Sequence, residues 1–273
     1  MIVVSKKQVK KYLPIRSKYS NKSDYGKTLI VGGSRSMPGA AILSARAAAR
    51  SGSGYTYLLI DYNSEKLFKN PDFIIISKSD FEKKIKTFSS FALGPGISSR
   101  AKAKKFLNSM LKHNISSAVI DAGALSVLRD FNKKIKLPST WILTPHEGEM
   151  SALLNKSSQW VKKNRIEAVK AAFKKYGCCI LLKGHQTLIY DGRKIYCVKE
   201  GTSALAKAGT GDVLTGIIAA LLSQKLSSTQ AAITAAYVHG YAAQLWEKSG
   251  HDKISLMASD LIELLPIAFS KIR

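Results

Sequence analysis

The residues best placed by type and spacing to do chemistry are Ala208-Gly209-Thr210-Gly211-Asp212, which run straight into Val213-Leu214-Thr215-Gly216. Gly209 and Gly211 permit backbone geometries that turn successive N–H groups toward one point, and a helix is expected immediately afterward. Free N–H donors at a helix start favour an anion, most naturally a phosphoryl group. Asp212 then has two readings. It is a favourable charge on the helix dipole, or a general base that takes a proton from a substrate hydroxyl beside the bound phosphate. Spacing alone leaves both open.

Such a centre needs a frame, and the chain supplies an α/β one. Short β-rich apolar runs alternate with helical segments over most of the length. Thr28 to Val31 reads as a buried strand stopped by Gly32-Gly33, with an Ala-rich helix from about Ala40 to Ser51. Further strands are expected at Tyr55 to Ile60, Phe73 to Ser77, Phe88 to Leu93, Ala118 to Asp121, Trp141 to Leu143 and Cys179 to Leu182. Asp191-Gly192 between two β runs predicts a hairpin, placing antiparallel strands at one edge of a mostly parallel sheet. Helices follow over Asp212 to Ser223, Ser228 to Ser249 (capped by Ser228 or Thr229) and Leu256 to Phe269. No linker or repeat divides the chain, so one domain over 1–273 is expected.

In open parallel sheets ligands gather at the carboxyl ends of the strands. Four such ends carry distinctive groups here: Gly94-Pro95-Gly96, Asp121-Ala122-Gly123-Ala124, Thr144-Pro145-His146-Glu147-Gly148-Glu149 and Lys183-Gly184-His185-Gln186-Thr187. Together they form a polar rim around a cleft.

The bulk numbers bound the function. The 273 residues are enough for a full-sized core, and 45% hydrophobic with 22% charged residues is an ordinary globular balance. The formal charge of +25 is unusual. Its lysines fall in scattered pairs such as Lys6-Lys7, Lys83-Lys84, Lys133-Lys134 and Lys174-Lys175, without the aromatic interleaving of single-strand binders. A specific nucleic-acid role is therefore not expected, although the field would attract a polyanionic small substrate. Cys178, Cys179 and Cys197 have neither metal-type spacing nor an even number for disulfides. The first residues lack a signal-peptide apolar stretch and no window is long enough to span a bilayer, so a cytoplasmic, non-membrane protein is expected.

Several tempting motifs fail. Gly26-Lys27-Thr28 resembles the end of a Walker loop, but position 21 is Asn and the triplet precedes a strand. His146-Glu147 is not a zinc-protease motif, because position 150 is Met. His113, His239 and His251 show no partnering pattern and are assigned structural roles.

The ordered set of motifs resembles the bacterial NAD(P)H-hydrate dehydratases of the ribokinase-like superfamily. The resemblance rests on Gly32-Gly33-Ser34 through Gly39-Ala40, Leu93 to Gly96, Asp121 to Leu125, Leu143 to Met150, Leu182-Lys183-Gly184, Ala208 to Gly216 and Ala258 to Leu261. It implies a three-layer α/β/α fold and ADP- or ATP-driven dehydration of the S epimer of hydrated NADH and NADPH, by phosphorylation of the ring hydroxyl and elimination. It also implies Asp212 as the catalytic base. Ala40, Gly96 and His146, with Asp212, match substrate-contacting positions. Lys183, Gly184, His185, Gln186 and Thr187, with Gly209, Thr210 and Gly211, match the nucleotide site. Mg²⁺ is implied as cofactor, and Glu149 either positions it through water or is a simple helix-start carboxylate. A partner NAD(P)H-hydrate epimerase and a homo-oligomer, a tetramer by family precedent, are further implications. One departure stands out: Thr202 occupies the place of the family's Asn, within Gly201 to Lys207. The alternative is a ribokinase-like kinase for a small alcohol or vitamin precursor, in which phosphorylation ends the reaction.

Overall fold

The computed structural model describes residues 1–60, 72–131 and 135–273, so Lys133-Lys134 lies outside the described residues. Ten strands form one sheet: β1 (Ile2–Val3), β2 (Lys27–Gly32), β3 (Tyr55–Ile60), β4 (Ile74–Ile75), β5 (Ser90–Leu93), β6 (Ala118–Ile120), β7 (Ile142–Leu143), β8 (Cys179–Leu182), β9 (Thr187–Tyr190) and β10 (Ile195–Val198). The helices are α1 (Lys6–Tyr12), α2 (Pro38–Arg50), α3 (Lys78–Lys84), α4 (Arg100–Lys112), α5 (Ala122–Val127), α6 (Glu147–Leu154), α7 (Ser158–Lys163), α8 (Arg165–Tyr176), α9 (Thr210–Ser223), α10 (Ser228–Lys248) and α11 (Ala258–Ile272).

The strand order is β1-β10-β9-β8-β7-β6-β5-β2-β3-β4. The body from β8 to β4 is parallel throughout, and β9 is antiparallel to both β8 and β10. The expected hairpin is therefore present but one strand in from the edge. Ile2 and Val3 pair in parallel with Tyr196 and Cys197, and the Val4 N–H donates to the Cys197 carbonyl at 2.9 Å. A two-residue strand leaves no readable periodicity, which is why the sequence did not reveal it. At the other edge, β4 is shorter than expected because Ser77 leaves the strand to cap α3, in a capping box with Asp80.

The alternation of side chains along the strands creates the three layers. Ile30, Leu58, Ala92, Val119, Ile142 and Leu181 face a core made with α2, α9, α10 and α11. Their neighbours Leu29, Leu59, Phe91, Ile120, Leu143 and Ile180 face the opposite core, made with α4, α5, α6 and α8. A strand buried on both faces reads as a continuous apolar run, as observed.

Helix α9 carries the candidate centre. It is buried on all sides from Val213 to Ser223. Gly216 lets α2 come so close that an added Cβ would lie 2.1 Å from the Ser44 carbonyl oxygen. The helix begins at Thr210, two residues before the expected start, so Asp212 already lies within its first turn. Helix α10 is capped by Ser227 rather than Ser228 or Thr229, with Gln230 completing a capping box. Among the described residues no helix is long and apolar enough to cross a membrane.

Candidate active site

Gly209 caps α9 with φ +91°, a left-handed geometry that glycine adopts without strain. Its space is also restricted, since a Cβ there would meet Ala258 and Leu43 at 2.9 Å. Thr210 fixes the turn from inside: its hydroxyl donates to the carbonyls of Leu205 and Lys207 at 2.8 and 2.9 Å. Nε2 of His239 lies 2.9 Å from the Thr210 carbonyl, and the Ser44 hydroxyl donates to the Asp212 carbonyl at 2.8 Å. Burial pushes the His239 pKa down to about 4, so the ring stays neutral and donates through Nε2. The first-turn N–H groups of α9 are thereby held in place for an anion.

Behind this turn lies a buried ion pair. Nζ of Lys183, at the end of β8, donates to Oδ1 of Asp121, at the end of β6, at 2.8 Å. The Thr215 hydroxyl occupies Oδ2 at 2.7 Å. Asp121 is 1% exposed. Burial opposes its ionisation, but the Lys183 ammonium and these hydrogen bonds hold its pKa below the usual carboxylate value. Burial likewise disfavours charge on Lys183, and the carboxylates of Asp121, Glu149 and Asp212 outweigh it. The same Nζ lies 3.6 Å from Glu149, and a Cβ on Gly211 would be 3.7 Å from it.

Asp212 responds in the opposite direction. Burial, then the nearby charges of Asp121 and Glu149, push its pKa up to about 7 against the pull of Lys183. A carboxyl poised near neutrality is suited to general-base work. Its position in the first turn of α9 is equally that of a helix-start carboxylate.

His146 caps α6. Its Nδ1 accepts from the N–H groups of Gly148 and Glu149, while Glu149 Oε2 accepts from the His146 N–H at 2.8 Å. This reciprocal box aims the imidazole outward, with the side chain 59% exposed. On the far side of the centre, Gly96 has φ +69°, and a Cβ there would lie 2.5 Å from the Met37 carbonyl and 2.9 Å from Ala40 Cβ. Ala40 and Gly96 thus touch one another at the junction of β2, β5 and α2.

A cavity of about 700 Å³ runs outward from the α9 turn. Lys183, Gly184, His185, Gln186, Thr187, Thr210, Gly211 and His146 line it, together with Glu200, Thr202 and His239. Gly209 shapes the turn without lining the cavity, and the Ala40–Gly96 junction lies outside it. The sequence-predicted nucleotide residues therefore converge on one cavity, apart from Gly209. Of the predicted substrate contacts, His146 lines the cavity, whereas Asp212, in the first turn of α9, and the Ala40–Gly96 pair do not.

Sequence reasoning missed three participants. Arg165, the first residue of α8, donates to Glu147 at 3.2 Å and to the carbonyl oxygens of His185, Leu182 and Gln186 at 2.8, 3.4 and 3.4 Å. It clamps the turn that lines the cavity, where Gly184 and Gln186 both have positive φ. A lone arginine after a helix cap carries no local signal of this. His239, assigned a structural role, does hold the Thr210 carbonyl but also lines the cavity. Thr215 partners Asp121 from one turn beyond Asp212, an i+3 position that could have been read as facing the same way.

Thr202, the departure from the family pattern, accepts from the Ala204 N–H at 3.1 Å and caps a short 3-10 turn over Ser203–Leu205. Thr and Asn are both capping residues, so the turn keeps its cap with the residue present. Lys207 is tied by its Nζ to the Ile254 carbonyl at 2.7 Å.

The family described as NAD(P)H-hydrate dehydratase matches residues 28–266. The bifunctional NAD(P)H-hydrate repair enzyme Nnr of Dictyoglomus turgidum is 33% identical over 97% of the chain, and the match spans 54% of that relative. The chain thus spans about half the length of the bifunctional relatives it matches. The ADP-dependent (S)-NAD(P)H-hydrate dehydratase of Bacillus subtilis is 31% identical, covering 96% of this chain and 95% of that one. The crystal structure of the ADP/ATP-dependent NAD(P)H-hydrate dehydratase from Bacillus subtilis, co-crystallised with ATP and Mg²⁺, superposes with a TM-score of 0.85 at 30% identity, covering 98% of each chain. With the glycine turn, the raised Asp212 and the converging cavity already in place, these matches establish that the chain belongs to the NAD(P)H-hydrate dehydratase family.

Proposed function

We propose that this chain, acting as one domain over residues 1–273, uses ADP or ATP to dehydrate the S epimer of hydrated NADH and NADPH. The observation that carries the reading is the placement of Asp212. It is a carboxyl with a pKa of about 7, in the same first turn of α9 as the N–H donors that would bind a phosphoryl group. The relatives named as ADP-dependent (S)-NAD(P)H-hydrate dehydratases support the substrate and its epimer.

The ring hydroxyl is a poor leaving group. Asp212 takes its proton as the oxygen attacks the terminal phosphoryl group of the nucleotide. The N–H groups of Gly211 and Asp212 and the Lys183 ammonium stabilise the charge on the transferring oxygens. The ring nitrogen's lone pair then breaks the carbon–oxygen bond and inorganic phosphate departs. Loss of a proton from the adjacent ring carbon restores the dihydropyridine. The balance is hydrate plus ADP giving reduced dinucleotide, AMP and phosphate, or ADP and phosphate when ATP is used.

The donor set fits a hydrated Mg²⁺. Asp121, Glu149 and Asp212 set three carboxylates against the single ammonium of Lys183. Both oxygens of Asp121 are already taken, and among the described residues no three His, Cys, Asp or Glu are grouped to cage an ion. That suits Mg²⁺, which keeps waters and binds mainly to phosphate oxygens. Glu149 would hold its hydration shell. When bound, Mg²⁺ supplies charge neutralisation at the nucleotide phosphates.

A dehydratase confined to the S epimer leaves the R epimer to an epimerase, which we propose as the functional partner in the cytoplasm. The test is to incubate the folded protein with ADP or ATP, Mg²⁺ and NADPH hydrate and follow reduced-nicotinamide absorbance. Recovery is expected, and its absence with both nucleotides would refute the reading.

A further inference from the structure

The end of the sheet opposite the catalytic turn carries a recess of its own. Lys27 and Tyr55, the paired first residues of β2 and β3, mark this end. Two arginines pin the preceding segment there: Arg16 donates to the Gly52 carbonyl at 2.6 Å and Arg273 to the Pro14 carbonyl at 2.8 Å. The recess measures about 520 Å³, with Ile15, Ser17, Tyr19, Asp24, Tyr25 and Gln224 in its wall. Cations collect on the aromatic rings at and beside it. Arg16 lies 4.1 Å from the centre of the Tyr25 ring, and the Lys18 ammonium 4.8 Å from that of Tyr19. Lys22 and Lys27 lie 5.1 and 5.7 Å from the Tyr55 ring, which stacks on Tyr57 at 6.2 Å. Folding thus supplies the aromatic interleaving that the linear order of the lysines lacks.

The charge here is not neutralised. Arg16, Lys18, Lys22 and Lys27 make no ion pair among the described residues. Asp24, the carboxylate in the wall, accepts from the Asn21 N–H at 2.8 Å as part of a capping box. Tyr19 is 84% exposed, so its ring is open to a stacking partner. The Gln224 amide nitrogen donates to the carbonyls of Ser51 and Ala220, which leaves its own oxygen to accept from a base amino group. A bilayer meets a convex apolar face, whereas this wall is concave and carries Ser17, Asp24 and Gln224. We propose that this end of the sheet binds single-stranded nucleic acid without sequence preference. A base stacks on Tyr19 in the recess, and phosphates follow Arg16, Lys18, Lys22 and Lys27. The inference is independent of the chemistry at Asp212.

The probe is a fluorescein-labelled single-stranded oligoribonucleotide of mixed sequence, titrated with the full chain and followed by anisotropy. Because Lys18, Tyr19 and Lys22 are exposed, their variants should unfold at the wild-type midpoint. Tyr19→Ala should weaken binding about fivefold or more, the range of base–aromatic stacking, and Tyr19→Phe should bind like the wild type. Annealing the probe to its complement should abolish the dependence on Tyr19. Four phosphate contacts predict a slope of about −3 in the logarithm of affinity against that of salt. Lys18→Glu with Lys22→Glu should weaken binding and flatten this slope. Lys105→Glu with Lys163→Glu, the same change in charge on exposed positions of α4 and α7, should do neither. Saturating ADP with Mg²⁺ should not displace the probe. Equal weakening by the two charge-reversed pairs would reduce the effect to net charge and overturn the proposal. So would wild-type binding by Tyr19→Ala, displacement by ADP, or a dependence on Tyr19 seen with phosphatidylserine vesicles and not with the oligonucleotide.

Discussion

Lys183 and Asp121 come from β8 and β6, and their side chains meet at 2.8 Å behind the turn that starts α9. The pair links the sheet to the first turn of α9, because the same ammonium is also near Glu149 and Gly211. Lys183→Met would leave the Asp121 carboxylate buried without its cation, at a cost of about 3–5 kcal/mol. Adding Asp121→Leu removes the stranded charge and should recover much of that loss. Denaturant unfolding measures both. Activity should stay lost in the double variant, since the ammonium at the phosphates is still missing.

Asp212→Asn keeps the shape of the turn and removes the base. A loss of about 10²- to 10⁴-fold in kcat is expected, the usual contribution of a general base. Unfolding at pH 8 should show no loss of stability. The folded pKa of about 7 exceeds the ordinary 3.8, so the native state binds the extra proton between these values. The stability this provides is present in acid and is lost as pH rises through about 7. The wild type should therefore lose stability relative to Asp212→Asn across that interval. A variant less stable than wild type at pH 8 would contradict the assigned environment.

The same carboxyl sets the rate profile. In wild type, kcat/KM should rise as Asp212 ionises near pH 7 at low magnesium. Raising magnesium at a fixed saturating nucleotide concentration, by adding positive charge at the bound phosphates, should move the limb to lower pH. The comparison is a pair of pH profiles at two magnesium concentrations.

Arg165→Lys would leave one ammonium where a planar fork now reaches three carbonyl oxygens and Glu147. Lysine cannot reproduce that geometry. The expected result is a higher KM for the nucleotide with kcat largely kept. Hydrogen exchange should show faster opening across 182–187 and little change elsewhere.

Gly96→Ala places a Cβ 2.5 Å from the Met37 carbonyl in a left-handed backbone geometry. Overpacking of this kind costs about 1–3 kcal/mol. Steady-state kinetics should show the hydrate KM rising more than the nucleotide KM, because Gly96 lies on the Ala40 side of the centre.

The sequence disclosed the layers because double-sided burial writes continuous apolar runs, as in Cys179 to Leu182. It disclosed the turn into α9 because Gly209 takes the left-handed cap, whereas Gly211 already lies inside the helix. Long-range pairings left no such trace. Arg165 reaches carbonyls that are 17 to 21 residues away, and Ile2–Val3 pairs with a strand near residue 196. The buried Asp121–Lys183 contact spans 62 residues, so the two strand-end motifs were visible while their union was not. Thr202 departs from the family pattern, and what only the structure shows is that its hydroxyl caps the short turn over Ser203–Leu205.

The central claim is that phosphorylation here serves elimination, and product stoichiometry tests it most directly. NADPH hydrate, Mg²⁺ and a limiting amount of ADP are incubated with the enzyme, and NADPH, AMP and inorganic phosphate are quantified together. One NADPH and one phosphate for each AMP formed is the expected result. Consumption of nucleotide with a stable phosphorylated product and no NADPH would contradict it and make the protein a kinase.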